Sequence, residues 1–116
     1  MPATGATVEI KMIGDDKGYR FEPANVTIKQ GDAVKFVAVS GFPHNVAFNG
    51  ATLAEAVKAQ INANMGPARL ADLSSQMYLA ANEGFTLSFA GIPAGTYEFN
   101  CTPHLAMGMK GVITVQ

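Results

Sequence analysis

One short segment, Cys101–Met109, limits the possible folds of this chain more than any other stretch. It holds the single cysteine, one of the two histidines and two of the six methionines. Thiolate, imidazole and thioether groups together make a soft metal site, which suits copper better than hard cations. The other histidine, His44, lies far away in the sequence, in a second loop after a Pro43 break. A shared site therefore requires a fold that brings two distant loops to one pole.

The spacing within the segment supports a metal site rather than ordinary packing. A lone cysteine is most often a small buried hydrophobic residue, and a methionine usually fills the core. Here Cys101 and His104, with His44, supply the two imidazoles and one thiolate of a trigonal blue-copper electron-transfer centre, which adds a weak axial methionine. Chemistry alone leaves Met107 and Met109 both open as the axial ligand.

Short alternating segments predict an all-β fold. Residues 7–13 alternate apolar and polar side chains, which is typical of a strand with one buried face. Gly, Pro and Asn clusters mark turns between similar segments. About seven or eight such strands predict an antiparallel β-sandwich in one domain, residues 1–116. Besides residues 7–13, these strands are predicted at residues 25–29, 33–40, 45–48, 77–80, 85–89, 96–101 and 111–115, with a brief pairing at residues 19–21.

A single helix interrupts the strands. Leu53, Val57 and Ile61 recur every four residues, with polar residues between them. This spacing predicts one amphipathic helix over residues 52–63, with Thr52 as its N-cap and Gly66-Pro67 as its stop. Residues 68–76 are predicted to be irregular or briefly helical.

Composition excludes several classes of partner. The chain has 116 residues, 48% hydrophobic and 15% charged, with a net charge of -1 and no cluster of lysine or arginine. We therefore expect one packed core and no binding to nucleic acid or an anionic membrane, which require a concentrated basic face. No run of about 18 apolar residues predicts a membrane span. The first five residues lack an apolar region, so we expect no signal peptide within this chain.

Two segments carry a resemblance to a known family. Gly41-Phe42-Pro43-His44-Asn45-Val46 resembles the first-ligand segment of plastocyanin. The segment Cys101-Thr102-Pro103-His104-Leu105-Ala106-Met107-Gly108-Met109 is very similar to the ligand loop of pseudoazurin. The chain thus resembles a cupredoxin, a type 1 blue copper protein, of the plastocyanin/pseudoazurin group. The likeness covers most of the chain except residues 50–76.

The resemblance implies a Greek-key, cupredoxin-like sandwich that holds one type 1 copper ion. It implies His44, Cys101 and His104 as equatorial ligands and, from the family's spacing, Met109 as the axial ligand. It also implies that Asn45 joins the two ligand loops. The implied function is a small electron carrier that cycles between Cu(II) and Cu(I).

The resemblance also implies a route for the electron and a location. The electron enters and leaves at an exposed edge of His104, where redox proteins dock transiently on an apolar patch. Such proteins are usually monomers that are periplasmic or otherwise exported. The patch consists of small or apolar residues, namely Gly41, Phe42, Pro43, Pro103, Leu105 and Ala106.

Other functions fit the sequence less well. A copper enzyme needs a second metal with additional histidines, and both histidines are already used here. A structural zinc site would favour Cys, His or carboxylate ligands over methionine. A copper chaperone or storage module is the alternative, although Met12, Met65 and Met77 are scattered rather than clustered. Asn100 replaces the tyrosine that plastocyanin carries before its cysteine, and plastocyanin's acidic clusters are absent, so the pathway stays open.

Overall fold

Ten β-strands in two sheets form the framework of residues 2–116, the part of the chain that this computed structural model describes. One sheet has four strands in the order β2-β1-β4-β8, and the other has six in the order β3-β10-β9-β5-β7-β6. The strands are β1 Thr7–Asp15, β2 Gly18–Glu22, β3 Asn25–Ile28, β4 Ala33–Ala38, β5 Ala47–Phe48, β6 Arg69–Ala71, β7 Ser74–Ser75, β8 Gly84–Ser88, β9 Gly95–Asn100 and β10 Lys110–Val115.

The hydrophobic core lies between the sheets, as the period-two alternation predicts. Ile10 and Met12 of β1 are fully buried, and so is Ile113 of β10. The rings of Phe36 in β4 and Phe99 in β9 meet edge to face across the core, with centroids 5.5 Å apart at 75°. The predicted β-sandwich is therefore confirmed.

The direction of two strand pairs differs from the predicted antiparallel arrangement. Strand β1 pairs with β4 in parallel, and β3 pairs with β10 in parallel, while the other pairings are antiparallel. The chain crosses to the second sheet at β3 and returns at β4, so β4 runs in the same direction as β1. Side-chain alternation reports which face is buried and carries no information on such crossings.

The segment before β8 also differs from its prediction. Residues 77–80 form no strand apart from one bridge between Tyr78 and His44, whereas residues 68–76 contain β6 and β7. Strand β5 starts only at Ala47, because the backbone N–H of Val46 donates to the side-chain hydroxyl of Ser75 in β7 at 2.9 Å and not to a backbone carbonyl. The ligand loop itself forms a 3₁₀ helix, Thr102–Met107.

The inserted helix is confirmed, with shifted ends. It runs over Glu55–Met65 (α1), and a 3₁₀ turn, Gly66–Ala68, follows it. Ala54 occupies the N-cap position without a side-chain hydrogen bond, so Thr52 is not the cap. Ile61 is fully buried, as the four-residue spacing predicts. No helix in residues 2–116 is both long enough and apolar enough to cross a bilayer.

Candidate metal centre

Two loops at one end of the sandwich bring three metal-binding side chains together. His44 lies between β4 and β5, and Cys101 and His104 follow β9. One ligand atom from each of the three lies within 4.8 Å of the others, and all three residues are buried. The Cys101 Sγ atom is 3.8 Å from His44 Nδ1. The sequence prediction that these loops converge on one pole is confirmed.

Main-chain atoms hold His44. Its backbone N–H donates to the Tyr78 carbonyl at 3.0 Å, and the Tyr78 N–H donates back to the His44 carbonyl at 2.7 Å. The ring Nε2 hydrogen-bonds the carbonyl of Ser40, which leaves Nδ1 on the side of Cys101. Burial lowers the pKa of His44, and the Ser40 carbonyl opposes part of this shift. The imidazole is therefore neutral and able to bind a metal near pH 7.

His104 has one nitrogen satisfied by the protein and one left over. Its Nε2 donates to the carbonyls of Pro43 at 2.8 Å and Gly41 at 3.1 Å. Its Nδ1 is buried and has no hydrogen-bond partner among the described residues. Buried polar atoms are nearly always paired, and a metal-binding histidine typically donates its other ring N–H to a carbonyl. This nitrogen therefore fits a metal ligand.

His104 is much less exposed in this structure than the sequence predicted. Only 7% of the residue is exposed. The Tyr19 ring stacks on the imidazole, with centroids 3.9 Å apart and an interplanar angle of 14°. The two carbonyls of the His44 loop occupy the Nε2 edge. A single aromatic residue from β2 thus covers a ring that the sequence placed at the surface.

Cys101 is a fully buried thiol in a tightly folded loop. Its backbone N–H donates to the Met109 carbonyl at 3.0 Å, and the His104 N–H donates to the Cys101 carbonyl at 3.1 Å. Gly108 has φ +80° where the loop reverses, a conformation that glycine adopts without strain. Burial raises the pKa of the Cys101 thiol, while the backbone N–H groups of Asn45 and His104 lower it. Metal binding must therefore displace a proton from the sulfur.

Asn45 joins the two ligand loops, as predicted. Its Oδ1 accepts the backbone N–H of Thr102 at 2.7 Å, and its Nδ2 donates to the Thr102 hydroxyl at 3.4 Å. These bonds connect the residue after His44 to the residue after Cys101. Hydrogen bonds between Asn45 and Thr102 therefore limit the distance between the ligands that precede them, His44 and Cys101.

The two methionines of the loop have different surroundings. Met109 is fully buried, and its backbone N–H is 3.4 Å from the His104 carbonyl. Met107 is 57% exposed. A fully buried side chain is better placed to reach a buried metal than a mostly exposed one, so the difference favours Met109. Its assignment as axial ligand stays a prediction.

Sequence analysis missed several contacts that shape the site, although it named Gly41 and Pro43 as residues of the patch around His104. Tyr19 follows a turn and reads only as a strand residue, and its contact with His104 depends on the register of β1 and β2. Ser40, Gly41 and Pro43 act through backbone carbonyls. Every residue has a carbonyl, so no side-chain pattern could have identified these acceptors.

Comparisons with known proteins agree with this donor set. A family model described as copper binding proteins, plastocyanin/azurin family, matches residues 8–116. The plastocyanin of Scenedesmus fuscus is 38% identical over 110 residues, which cover 94% of this chain and 99% of that protein. The chloroplastic plastocyanin of Physcomitrium patens is 38% identical over 114 residues, covering 97% of this chain and 60% of that protein.

Solved structures show the same likeness. The oxidized plastocyanin of Dryopteris crassirhizoma superposes with a TM-score of 0.70 at 27% identity, covering 94% of this chain and all of that one. The pseudoazurin of Methylobacterium extorquens AM1 gives a TM-score of 0.57 at 25% identity, over 94% of this chain and 74% of that one. The cofactor of such a site is copper, and its thiolate and imidazole donors are present here. The chain belongs to the plastocyanin/azurin family of copper-binding proteins.

Proposed function

We propose that this chain is a small electron carrier that holds one type 1 copper ion through His44, Cys101, His104 and the axial Met109. The single observation that carries this proposal is the buried Nδ1 of His104, which has no hydrogen-bond partner within residues 2–116, in a residue grouped with the thiol and the second imidazole. Copper supplies a one-electron couple between Cu(II) and Cu(I) when it is bound. Relatives named plastocyanin over nearly the whole of this chain support the same role.

The residues around the site serve a carrier by limiting movement. Carbonyls of the 40–43 loop accept hydrogen bonds from Nε2 of both imidazoles and limit their movement, and Asn45 links the two loops. Donors that are held in place before the metal binds need little rearrangement when its charge changes. Small rearrangement in turn favours fast electron transfer. This is the physical link between the hydrogen bonds and the proposed function.

A carrier fits this site better than an enzyme does. A metal enzyme keeps an open coordination position for its substrate, whereas four protein donors leave little room for one. A copper chaperone or storage module is the alternative, and the copper experiment below distinguishes it from a carrier.

The proposed entry and exit point for electrons is the small remaining exposed edge of His104. Phe42, Pro103, Leu105 and Ala106 in the two ligand loops are exposed, and Gly41 and Pro43 are half-buried. Small apolar surfaces of this kind suit brief contacts of low area. We propose that redox proteins dock here transiently, that the carrier is a monomer, and that it binds no nucleic acid. Export to the periplasm or another compartment stays a prediction, since the Physcomitrium patens relative is named chloroplastic.

Copper loading and the Cys101→Ser variant test the central proposal. Copper-loaded protein should have an intense blue or green thiolate-to-copper absorption that a mild reductant bleaches reversibly. Cys101→Ser should lose the absorption and the reversible couple, because it removes the one thiolate, yet keep its β-sheet circular dichroism. Serine protein that stays coloured would contradict the ligand set. A wild-type protein that binds only Cu(I) and stays colourless would indicate a chaperone or store.

Leu105→Lys tests the docking patch. Leu105 is 47% exposed in the ligand loop. Two molecules that exchange electrons through this patch would bring two new positive charges together. We expect the self-exchange rate, measured by NMR line broadening at low salt, to fall about tenfold, and to recover partly as salt screens the charges. Leu70→Lys is the matched control, because Leu70 is an exposed leucine on β6. Equal slowing in both variants would contradict docking at this patch.

A further inference from the structure

The stacked contact between Tyr19 and His104 joins the candidate metal centre to a strand that carries no ligand. Tyr19 lies on β2, directly opposite Gly14 of β1. Its ring is nearly parallel to the imidazole, at a centroid distance of 3.9 Å. One face of His104 is thus covered by a half-buried side chain from the β1–β2 hairpin.

The same hairpin supports the loop whose carbonyls hold the histidines. A Cβ atom on Gly14 would lie 2.5 Å from Tyr19 Cδ1 and 2.9 Å from the Gly41 Cα, so both groups rest directly on the β1 backbone. The Gly14 N–H also donates to the Ser40 hydroxyl at 3.3 Å. Only a residue without a side chain leaves this space. Tyr19 and the 40–43 loop therefore share one support, and their positions relative to each other are fixed.

Hydrogen bonds alone do not fix the His104 ring. Its Nε2 lies nearer than Nδ1 to the axis of rotation about the Cβ–Cγ bond, so bonds from Nε2 to Gly41 and Pro43 restrict rotation of the ring less than a bond at Nδ1 would. Rotation would carry Nδ1, which lies farther from that axis, away from Cys101. A flat aromatic contact opposes this rotation, because turning the imidazole drives one edge into the phenol ring.

We infer that Tyr19 is a positioning residue for His104: its ring, stacked on the imidazole, holds Nδ1 in place as a metal ligand. The inference rests on the proposed function for the identity of the metal. The position of the ring is a property of the metal-free protein as well. Tyr19 contributes through its aromatic face, and its hydroxyl group has no part in the effect.

The test compares Tyr19→Leu with Tyr19→Phe in the full chain. Leucine keeps an apolar side chain but removes the aromatic face, whereas phenylalanine keeps it. Because Tyr19→Leu loses the stabilisation of the stacked aromatic pair, it should release Cu(I) to an excess of a strong chelator roughly 2- to 10-fold faster than wild type. Tyr19→Phe should stay within about twofold of wild type. Arg20→Ala is the control, since Arg20 is the next residue on β2 and pairs with Asp15 and Glu22 instead.

A second measurement on metal-free protein separates this inference from the proposed function. The ring ¹⁵N and ¹H NMR signals of His104 should broaden or shift in Tyr19→Leu, and stay as in wild type in Tyr19→Phe and Arg20→Ala. Unchanged ring signals together with unchanged Cu(I) release in Tyr19→Leu would overturn the inference. Equal effects in Tyr19→Phe or in Arg20→Ala would also overturn it. A protein that never acquires the blue couple would refute the carrier function, and the ring signals would still decide the role of Tyr19.

Discussion

At the scale of single residues, the two histidines of the site are oriented by carbonyl groups and not by acidic side chains. Ser40, Gly41 and Pro43 accept hydrogen bonds from Nε2 atoms. An acceptor at Nε2 fixes the tautomer in which Nδ1 carries the lone pair. A neutral carbonyl does this without adding negative charge near the metal, and added negative charge would favour Cu(II).

The choice of axial ligand gives a prediction at this scale. Met109→Leu should keep the blue absorption and raise the reduction potential, because loss of a soft donor destabilises Cu(II) more than Cu(I). The expected size is on the order of 60 mV, a tenfold change in a one-electron equilibrium constant. Met107→Leu is the matched control, and its potential should change much less because Met107 is exposed. Voltammetry of both variants decides the assignment, and the opposite ranking would make Met107 the axial ligand.

Residue types at the site were predictable, and their surroundings were not. The single cysteine and the two histidines stand out because these residue types are rare in the chain, and the methionines of the ligand loop lie beside them in the sequence. The cover over His104 depends on Tyr19, whose ring reaches the site only because β1 and β2 pair Gly14 with Tyr19. Such a register is set by the whole hairpin. The sequence therefore predicted a larger exposed fraction for His104 than the 7% in the structure.

At the scale of elements, long strands were easier to predict than short ones. Strand β1 has nine residues, alternates from Thr7 to Met12, and was predicted over residues 7–13 from this pattern. Strands β5 and β7 have two residues each, too few for any period to show. Ser75 explains one of these errors, because its hydroxyl replaces a backbone partner for Val46. Side-chain bonds of this kind shorten a strand in a way that its hydrophobic pattern cannot reveal.

The inserted helix closes one side of the sandwich. Helix α1 packs beside β8, at the edge of the four-stranded sheet, and the chain then forms β6 and β7 at the edge of the other sheet. Asn64 Nδ2 donates to the carbonyls of Ser88 and Ala90, each at 2.9 Å. Asn62 accepts the Leu73 N–H at 2.7 Å. The insertion thus fastens both sheets through side-chain amides.

Asn64→Ala tests this fastening. It should lower the free energy of unfolding by about 1–3 kcal/mol, because two partly buried carbonyls lose their donor. The visible spectrum of the copper protein should stay the same, since the amide lies away from the ligand loops. Urea unfolding measures the first effect and absorption the second. Gln60→Ala is the comparison and should cost less, because it removes an amide that donates to Asn64 Oδ1 at 2.8 Å but keeps the Asn64 amide that donates to Ser88 and Ala90. One ordinary hydrogen bond contributes roughly 1 kcal/mol to the free energy of unfolding. A decrease of less than about 0.5 kcal/mol in Asn64→Ala would therefore contradict the proposed role of its amide.

At the scale of the whole molecule, the chain crosses between the two sheets more often than it would in a simple antiparallel sandwich. The parallel pairs Thr7↔Ala33 and Val112↔Asn25 record these crossings. They place the β4–β5 and β9–β10 connections at the same end of the sandwich. The metal centre is therefore assembled by the topology as a whole, and both ligand loops depend on a folded core.

The stability of the metal-free protein should consequently depend on pH in both directions. Burial lowers the pKa of His44 below 6.5, so the unfolded chain takes up a proton more readily as pH falls. Burial raises the pKa of Cys101 above 9.0, so the unfolded chain loses a proton more readily as pH rises. The free energy of unfolding should therefore be largest between these values and decrease on either side.

Urea unfolding of metal-free protein measures this dependence. A range from about pH 5 to about pH 10 includes the ordinary pKa values of both histidine and cysteine. Cys101→Ser should lose most of the decrease that begins near pH 9.0, because serine does not ionise there. Burial also raises the pKa of Tyr78 and Tyr97 from 10.0, so any decrease due to them begins later. An unchanged alkaline decrease in the serine variant would contradict the assignment to Cys101.

The use of carbonyls as acceptors has a consequence for divergence of the family. Main-chain oxygens orient the histidines, while the Phe42 side chain in the same loop faces outward. Gly41 cannot vary, because its φ is +72° and its Cα packs against Gly14. Position 42 has an exposed ring whose link to the site is an edge-to-face contact with His44, at a centroid distance of 5.9 Å. We therefore expect substitutions at position 42 to change the partners of the proposed carrier more than its metal site.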